Sequence, residues 1–131
     1  MGNPTGVSLD VKLGVSEGSS LALLHAPPEF GWSAPSSVRL SRRARGHHDV
    51  VIAFFTRRSM LERQIEKLGQ LVLPDGSLWI SWPKRASGVI TDLTDHVARE
   101  VVLPLGLVDN KVCAIDETWT ALRFAWRRSM R

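Results

Sequence analysis

The chain has 131 residues, of which 44% are hydrophobic and 23% are charged. These fractions exclude a chain that is disordered throughout. The single cysteine excludes an internal disulfide, and no apolar run approaches the roughly 20 residues that span a bilayer. A chain of this length buries about two thirds of its unfolded surface, so we expect residues 1–131 to form one α/β domain. The N-terminus has no positive start followed by an apolar run, so we expect no secretory signal and a cytoplasmic protein.

The first half of the chain predicts two buried strands separated by loops. Residues 21–24 form a continuous apolar run, which is typical of a strand that is covered on both faces. Residues 50–55 are apolar and start with β-branched side chains, so we expect this strand at the centre of the sheet. The segments 1–18 and 33–47 are loop-rich; we expect one helical turn in the first and a short edge strand in the second.

The middle of the chain predicts a helix followed by a third strand. Ser59 and Glu62 have the spacing of a capping box, in which each side chain bonds the other residue's backbone N–H. Apolar residues then recur at helical spacing and give this helix one buried face. Residues 74–76, Pro-Asp-Gly, are typical of a turn, and residues 78–82 after them form an apolar strand.

The last third of the chain predicts a second helix and a hairpin. Thr91 is the expected cap of this helix, which has an apolar stripe from Leu93 to Val101. Residues 111–115 and 119–126 are the expected antiparallel strands of the hairpin. Alternation of strands and helices forces parallel neighbours with right-handed crossovers. We therefore predict a three-layer α/β sandwich with a Rossmann-like, mainly parallel sheet and a C-terminal antiparallel hairpin.

Several residues follow the strands of this predicted sheet and are candidates for a ligand site. In open α/β sheets, ligands bind beyond the carboxyl ends of the strands. If the strand 111–115 is parallel to the strand 78–82, the segments that follow the two strands lie at the same edge. Hydroxyls and backbone N–H groups near the start of a helix favour an anion there. The candidate ligand-binding residues are Lys84, Arg85, Ser87, Gly88, Thr91, Asp116 and Glu117.

The same residues have structural interpretations that the sequence leaves open. Lys84 would pair with Asp116 or Glu117 across the sheet edge. Gly88 would serve the geometry of its loop, and Thr91 would only cap a helix.

The cysteine and the adjacent histidines predict no catalytic or metal site. Cys113 lies in an apolar run, which is typical of a buried thiol. His47 and His48 lack partners at metal-ligand spacing. We therefore predict no metal and identify no catalytic residue.

Arginine is concentrated in two runs, which raises the question of a nucleic-acid partner. Residues 39–45 contain four arginines and residues 123–131 contain four more. Clustered cations gain affinity for phosphates by releasing counterions. No helix-turn-helix or RNA-binding signature accompanies these runs, and such runs are more often solvated surface. Nucleic acid is therefore not the partner that we expect, and no membrane association is expected.

The helix-turn-strand unit in the middle of the chain resembles part of a known fold. Residues 68–82, with the run Leu-Pro-Asp-Gly-Ser-Leu-Trp-Ile, are similar to a segment found late in class I S-adenosylmethionine-dependent methyltransferases. The closing strand 119–126 also suits that fold. The resemblance implies a methyltransferase-like sheet. The chain departs from that family after its first strand, where residues 25–28, His-Ala-Pro-Pro, replace the glycine-rich turn that lets the backbone approach the cofactor.

Three segments together resemble a family of small bacterial proteins of unknown function. They are residues 23–27, residues 83–93 with Pro-Lys-Arg-Ala-Ser-Gly at their start, and residues 116–124. This resemblance implies a bacterial cytosolic α/β domain and no particular activity.

Two classes of function follow from these observations. The first is a non-enzymatic methyltransferase-like domain that binds a small anionic ligand or a protein partner, with Lys84, Ser87 and Thr91 as the anion contacts. The alternative is a divergent S-adenosylmethionine-dependent methyltransferase with Asp116 or Glu117 as the acid/base group. Proline has no N–H to offer an adenosyl cofactor, which favours the first class. A nucleic-acid accessory protein is a third interpretation, and an exposed hairpin edge would allow pairing in a dimer.

Overall fold

The computed structural model describes residues 8–131 and contains one six-stranded sheet. The strands are β1 (Ser20–Leu24), β2 (Arg39–Ser41), β3 (His48–Phe54), β4 (Val72–Pro83), β5 (Leu107–Ala114) and β6 (Trp119–Trp126). Their order across the sheet is β2-β1-β3-β4-β6-β5. The first four strands are parallel, whereas β6 is antiparallel to both β4 and β5. The predicted α/β fold with a mainly parallel sheet and a C-terminal hairpin is confirmed. Residues 1–7, part of a segment predicted to be loop-rich, lie outside the described range.

Three α-helices accompany the sheet within residues 8–131. They are α1 (Leu9–Leu13), α2 (Arg58–Leu71) and α3 (Asp95–Val102). The helices α2 and α3 pack on one face of the sheet, which we call the helical face, and bury a core cluster with the strands beneath them. No helix within residues 8–131 is both long and apolar enough to cross a membrane.

The cap of α2 comes from a distant loop. The helix begins at Arg58, so the predicted capping residue Ser59 lies inside the first turn, and the N-cap residue Arg57 makes no side-chain cap bond. The backbone N–H of Arg58 instead donates to Oδ1 of Asp92 at 2.7 Å. The predicted capping box was wrong because the helix begins one residue before Ser59, and the free backbone N–H of Arg58 is satisfied by a partner 34 residues away.

The cap of α3 lies three residues after the predicted one. Oγ1 of Thr94 accepts a hydrogen bond from the backbone N–H of Val97 at 3.1 Å, and α3 begins at the next residue after Thr94. Thr91 belongs to the preceding loop. Both threonines satisfy the local rule for a cap, and the loop's packing decides between them.

The opposite face of the sheet, which we call the loop face, is covered by α1 and by residues 25–38. This segment contributes partly buried Phe30 and Trp32 to a second core cluster. Trp79 of β4 is fully buried beneath it, and its indole N–H donates to the backbone oxygen of Leu13 at 3.0 Å. The loop face is therefore closed by aromatic side chains and by hydrogen bonds to one short helix.

The predicted turn at residues 74–76 is the irregular start of β4. The register between β3 and β4 shifts between His48 and Val50. Gly76 lies against β3 so closely that a Cβ atom there would be 2.8 Å from the backbone oxygen of Asp49. Glycine is therefore required by the close approach of two strands.

Candidate functional site

The carboxyl ends of β1, β3, β4 and β5 lie at one edge of the sheet, which we call the carboxyl edge. There the turn between β5 and β6 meets the segment after β4. The backbone N–H of Lys84 donates to the backbone oxygen of Thr118 at 2.7 Å, and its Nζ donates to the backbone oxygen of Asp116 at 2.5 Å. The structure therefore brings Lys84 and Asp116 together, through a backbone oxygen and not through the carboxylate.

The two acidic candidates differ in what their carboxylates do. Oδ1 of Asp116 accepts hydrogen bonds from the backbone N–H groups of Thr118 and Trp119 at 2.8 and 2.7 Å. These bonds hold the turn that leads into β6. Glu117 is exposed, and its carboxylate makes no hydrogen bond within residues 8–131. Of the pair, Glu117 is the one whose carboxylate is available to another molecule.

The segment after β4, residues 84–94, is an ordered loop that we call the edge loop. Its first half contains a 3₁₀ turn, Arg85–Ser87, followed by Gly88 in the left-handed conformation at φ 79°. Oγ of Ser87 donates to the backbone oxygen of Lys84 at 2.7 Å and accepts from the backbone N–H of Val89 at 3.2 Å. Ser87 therefore stabilises the turn through hydrogen bonds to backbone atoms of the turn itself.

The second half of the edge loop is anchored to α2. Oγ1 of Thr91 donates to the backbone oxygen of Thr56 at 2.6 Å and accepts from the backbone N–H of Leu93 at 3.1 Å. Asp92 caps α2 through Arg58, as described above. Asp92 was missed as a functional position because its local sequence predicts a cap for the following helix, and nothing local points to α2.

Between the two anchors, Ile90 projects into solvent with 93% of its surface exposed. Arg85 in the edge loop and Arg57 before α2 are exposed as well. Neither arginine forms an ion pair with any residue of the described chain. The edge loop thus exposes the apolar side chains of Val89 and Ile90 together with the cation Arg85.

Ion pairs tie the start of α2 to α3 behind the edge loop. The Arg58 guanidinium donates to Glu62 at 2.9 Å and to Glu100 at 2.8 Å. The hydrogen bond from Arg58 lowers the pKa of Glu100 below its ordinary value of 4.5. Within α3, the hydrogen bond from Arg99 lowers the pKa of Asp95 below 3.8. Both carboxylates are charged at neutral pH, so they serve the packing of helices and not proton donation.

The turn after β1 does not offer what an adenosyl cofactor needs. His25 has φ 59°, and its Nε2 lies 2.8 Å from Oε1 of Gln64. Pro27 and Pro28 follow, and proline has no backbone N–H to donate. The methyltransferase resemblance would place a glycine-rich turn here, where the backbone approaches the cofactor. In this chain a side chain and two prolines occupy that position.

A row of three aromatic side chains crosses the carboxyl edge beside this turn. The ring centroids of Phe30 and Phe54 are 5.1 Å apart, and those of Phe54 and Trp119 are 5.2 Å apart. Trp119 is only 6% exposed, and its indole N–H has no hydrogen-bond partner among the described residues. Sequence reasoning missed the row because its members are on three separate segments.

Two other types of site were considered in residues 8–131. Burial raises the pKa of the Cys113 thiol above its ordinary value of 9.0, so the thiol stays protonated at neutral pH. No group of three or more His, Cys, Asp or Glu side chains in this range could hold a metal ion.

Two cavities lie away from the carboxyl edge. The first, of about 320 Å³, opens at the amino ends of β3 and β4, where Asp49, Asp75 and Arg123 line it. The second, of about 260 Å³, lies between α2 and the C-terminal segment, beside Trp126 and Met130. None of the predicted ligand-binding residues lines either cavity.

The fold is similar to solved methyltransferases. A SAM-dependent methyltransferase from Aquifex aeolicus matches with a TM-score of 0.62 at 11% identity, over 87% of this chain and 85% of that one. The N-methyltransferase NodS from Bradyrhizobium japonicum WM9 matches with a TM-score of 0.54 at 13% identity, over 88% and 90%. A magnesium protoporphyrin IX methyltransferase from Synechocystis PCC 6803 with bound SAM matches at 0.53 and 14%, over 70% of this chain and 47% of that one. The chain has a methyltransferase-like fold.

These identities are too low to carry an activity, so the likeness concerns the fold alone. No protein-family model matches the chain, and no curated protein matches it. The resemblance to a family of small bacterial proteins therefore stays a prediction.

Proposed function

We propose that this chain is a binding domain with a methyltransferase-like fold, which contacts a protein partner through the edge loop and transfers no methyl group. The observation that carries the proposal is the exposed Ile90, held between two hydrogen-bonded anchors at Ser87 and Thr91. The glycine-rich turn of methyltransferases is replaced after β1 in this chain, which supports the absence of methyl transfer.

Rigid display of an apolar side chain favours association with a protein. A surface that is already held in its bound shape loses little conformational entropy when a partner docks. Single exposed apolar side chains are common, but Ile90 lies on an anchored loop that also carries the exposed cation Arg85. An apolar contact with a polar rim is the usual composition of a protein–protein interface.

The donors that the sequence suggested for a small anion are already engaged. Nζ of Lys84, Oγ of Ser87 and Oγ1 of Thr91 each donate to a backbone oxygen. The hydroxyls of Ser87 and Thr91 each have a single proton, so a small anion that accepted from either of them would displace its bond and leave a backbone oxygen without a donor. A protein that contacts Ile90 and Arg85 leaves these bonds intact, so the geometry favours a protein over a small anion.

Photocrosslinking in cells of the source organism tests this contact. A benzophenone amino acid at position 90 is expected to give one discrete crosslinked product. Arg85→Glu in the same chain is expected to reduce its yield severalfold, because it reverses a charge beside the contact while leaving the anchors of the loop in place. Lys84→Ala is a poorer choice because Lys84 also holds the hairpin turn.

The matched control places the same probe at Val11, which is 67% exposed on α1 at the loop face. The proposal expects no discrete product from this position. Equal products from positions 11 and 90 would indicate that crosslinking reflects random collision. The same conclusion would follow if Arg85→Glu left the product from position 90 unchanged. If position 90 gives no crosslinked product, the proposal is wrong.

A second candidate is a divergent S-adenosylmethionine-dependent methyltransferase with Glu117 as the acid/base group. It is favoured by the fold shared with methyltransferases and by the free carboxylate of Glu117 at the carboxyl edge. A ligand at about 100 times its dissociation constant adds roughly 2.7 kcal/mol to stability, which thermal unfolding detects. Saturable stabilisation by S-adenosylmethionine, together with transfer of a labelled methyl group to a cell-extract component, would replace the first proposal with this one.

A further inference from the structure

We propose that the flank of α2 that faces β1 and β2 binds the phosphate backbone of a nucleic acid. The inference is independent of the edge loop and of its partner. From the sequence alone, the arginines at 39–45 are most simply solvated surface. The structure adds that Arg39 lies on the same side of the sheet as two cations of α2, and that the segment carrying the other three arginines contacts that helix at His47. We call this set the basic surface; its members are Arg39, Arg42, Arg43, Arg45, Arg63 and Lys67.

The register of β2 directs Arg39 to the helical face. In the parallel pairing with β1, Arg39 lies opposite Ser20 and Ser41 lies opposite Ala22. Ala22 belongs to the core cluster under α2 and α3, and side chains alternate between the two faces of a sheet. Arg39 therefore lies on the same side of the sheet as α2.

The segment after β2 reaches α2 directly. Nδ1 of His47 lies 3.1 Å from the backbone oxygen of Gln70, in the last turn of α2. Arg42, Arg43 and Arg45 precede this contact and are exposed. The segment that carries the arginines is therefore fixed to the last turn of α2 at His47, and its arginine side chains are exposed.

The charges of α2 are separated between its two flanks. Gln64 bonds His25 and so marks the flank toward β1. Lys67 follows Gln64 by three residues and Arg63 precedes Lys67 by four, so both cations lie toward that flank or the solvent beside it.

The acidic residues of α2 lie on the other flank. Glu66 lines a cavity with Trp126 and Leu105. Glu62 is paired with Arg58. Apart from Arg58, which pairs with Glu62, the cations of α2 lie toward β1 and β2 or toward solvent, whereas its carboxylates lie toward β6 and the segment after α3.

The cations of the basic surface are not paired with carboxylates in the described chain. None of its six cations forms an ion pair within residues 8–131, and no acidic residue occurs between positions 30 and 48. Several unpaired cations on one surface match a polyanion, and the double helix carries one phosphate charge per about 1.7 Å of its axis. Residues 39–47 contain no Phe, Tyr or Trp to stack on bases. The expected recognition is thus of phosphates and not of sequence, with dissociation constants of about 10⁻⁴ to 10⁻⁶ M at physiological salt.

Fluorescence anisotropy with labelled 20-nucleotide RNA, single-stranded DNA and duplex DNA tests the basic surface at 50 to 200 mM salt. The parent chain is expected to bind, with log K falling linearly against log salt. Arg42→Ala/Arg43→Ala/Arg45→Ala is expected to weaken binding and to reduce that slope by about 2, since each phosphate contact contributes about 0.7 to 0.9. The three nucleic acids distinguish a groove for a single strand from a surface for a duplex.

Two further variants distinguish a binding surface built from two elements from binding by the arginine run alone. Arg63→Ala/Lys67→Ala is expected to weaken binding as well, because the surface combines two elements. The matched control, Arg127→Ala/Arg128→Ala/Arg131→Ala, removes the same charge as the first variant from exposed positions at the C-terminus and is expected to bind like the parent. All substituted side chains are exposed, so unchanged thermal unfolding checks that each variant is folded.

Three results would overturn the proposal. One is the absence of binding at 50 mM salt. Another is an equal loss in the C-terminal control, which would indicate net charge alone. The third is binding to vesicles of anionic phospholipid without binding to any of the three nucleic acids, which would assign the basic surface to a membrane.

Discussion

The helical face and the loop face of the sheet are covered in different ways. On the helical face, α2 and α3 present apolar side chains at helical spacing over a large core cluster. On the loop face, residues 25–38 and the five-residue α1 cover the sheet, with a few large aromatic side chains between. The comparison teaches that aromatic residues on a loop can replace a helix as a cover, because each buries a large area. It also implies that the loop face depends on fewer side chains and opens more readily.

The largest expected effect is that of Trp79→Ala on the loop face. The side chain is fully buried and its indole N–H holds α1, so we expect a loss of about 3–5 kcal/mol in the free energy of unfolding, measured by urea denaturation. Trp79→Phe retains a ring and is expected to recover a large part of that loss. A loss below about 1 kcal/mol for Trp79→Ala would contradict the view that the loop face depends on a few large residues.

Leu68→Ala examines the helical face in the same assay. Leu68 is fully buried on α2, and the expected loss is about 2–5 kcal/mol. Because many side chains share this core, the loss should appear as global destabilisation with the m-value unchanged. If hydrogen exchange instead showed α2 opening alone, the helical face would not be the cooperative part of the fold.

Phe30→Ala has a smaller expected effect, confined to the loop face. Phe30 is partly buried against Phe54, so we expect a loss of about 1–2 kcal/mol. Amide exchange in residues 25–38 should accelerate while α2 stays protected. Equal acceleration in both regions would contradict the proposed difference between the faces.

The smallest expected effect concerns pH and the ion pairs of the helical face. The pKa of Glu100 is lowered in the folded protein by Arg58, so its contribution to stability is present above its ordinary value of 4.5 and is lost as pH falls through the folded pKa. Glu100→Gln should therefore lower the Tm slightly at pH 7 and leave it unchanged at pH 3. A difference that persisted at pH 3 would indicate packing in place of charge.

The predicted site shows how far local patterns reach. Strand order placed the segments after β4 and β5 at one edge, and the contact of Lys84 with Asp116 follows from that order. The binding role of the candidate residues stays a prediction. The hydroxyls of Ser87 and Thr91 are bonded to backbone oxygens, which depends on how the edge loop folds over the ends of β3 and β4. A sequence pattern identifies a hydroxyl but not the group that it meets.

The sequence by itself determined the α/β class, the central strands and the closing hairpin, because apolar periodicity and turn residues act within a few positions along the chain. The tertiary structure alone decided which residue caps α2, how Phe30, Phe54 and Trp119 meet, and that His47 after β2 contacts the last turn of α2. Each of these contacts joins residues more than 20 positions apart. Such contacts depend on the packing of the whole core, which no local sequence pattern predicts.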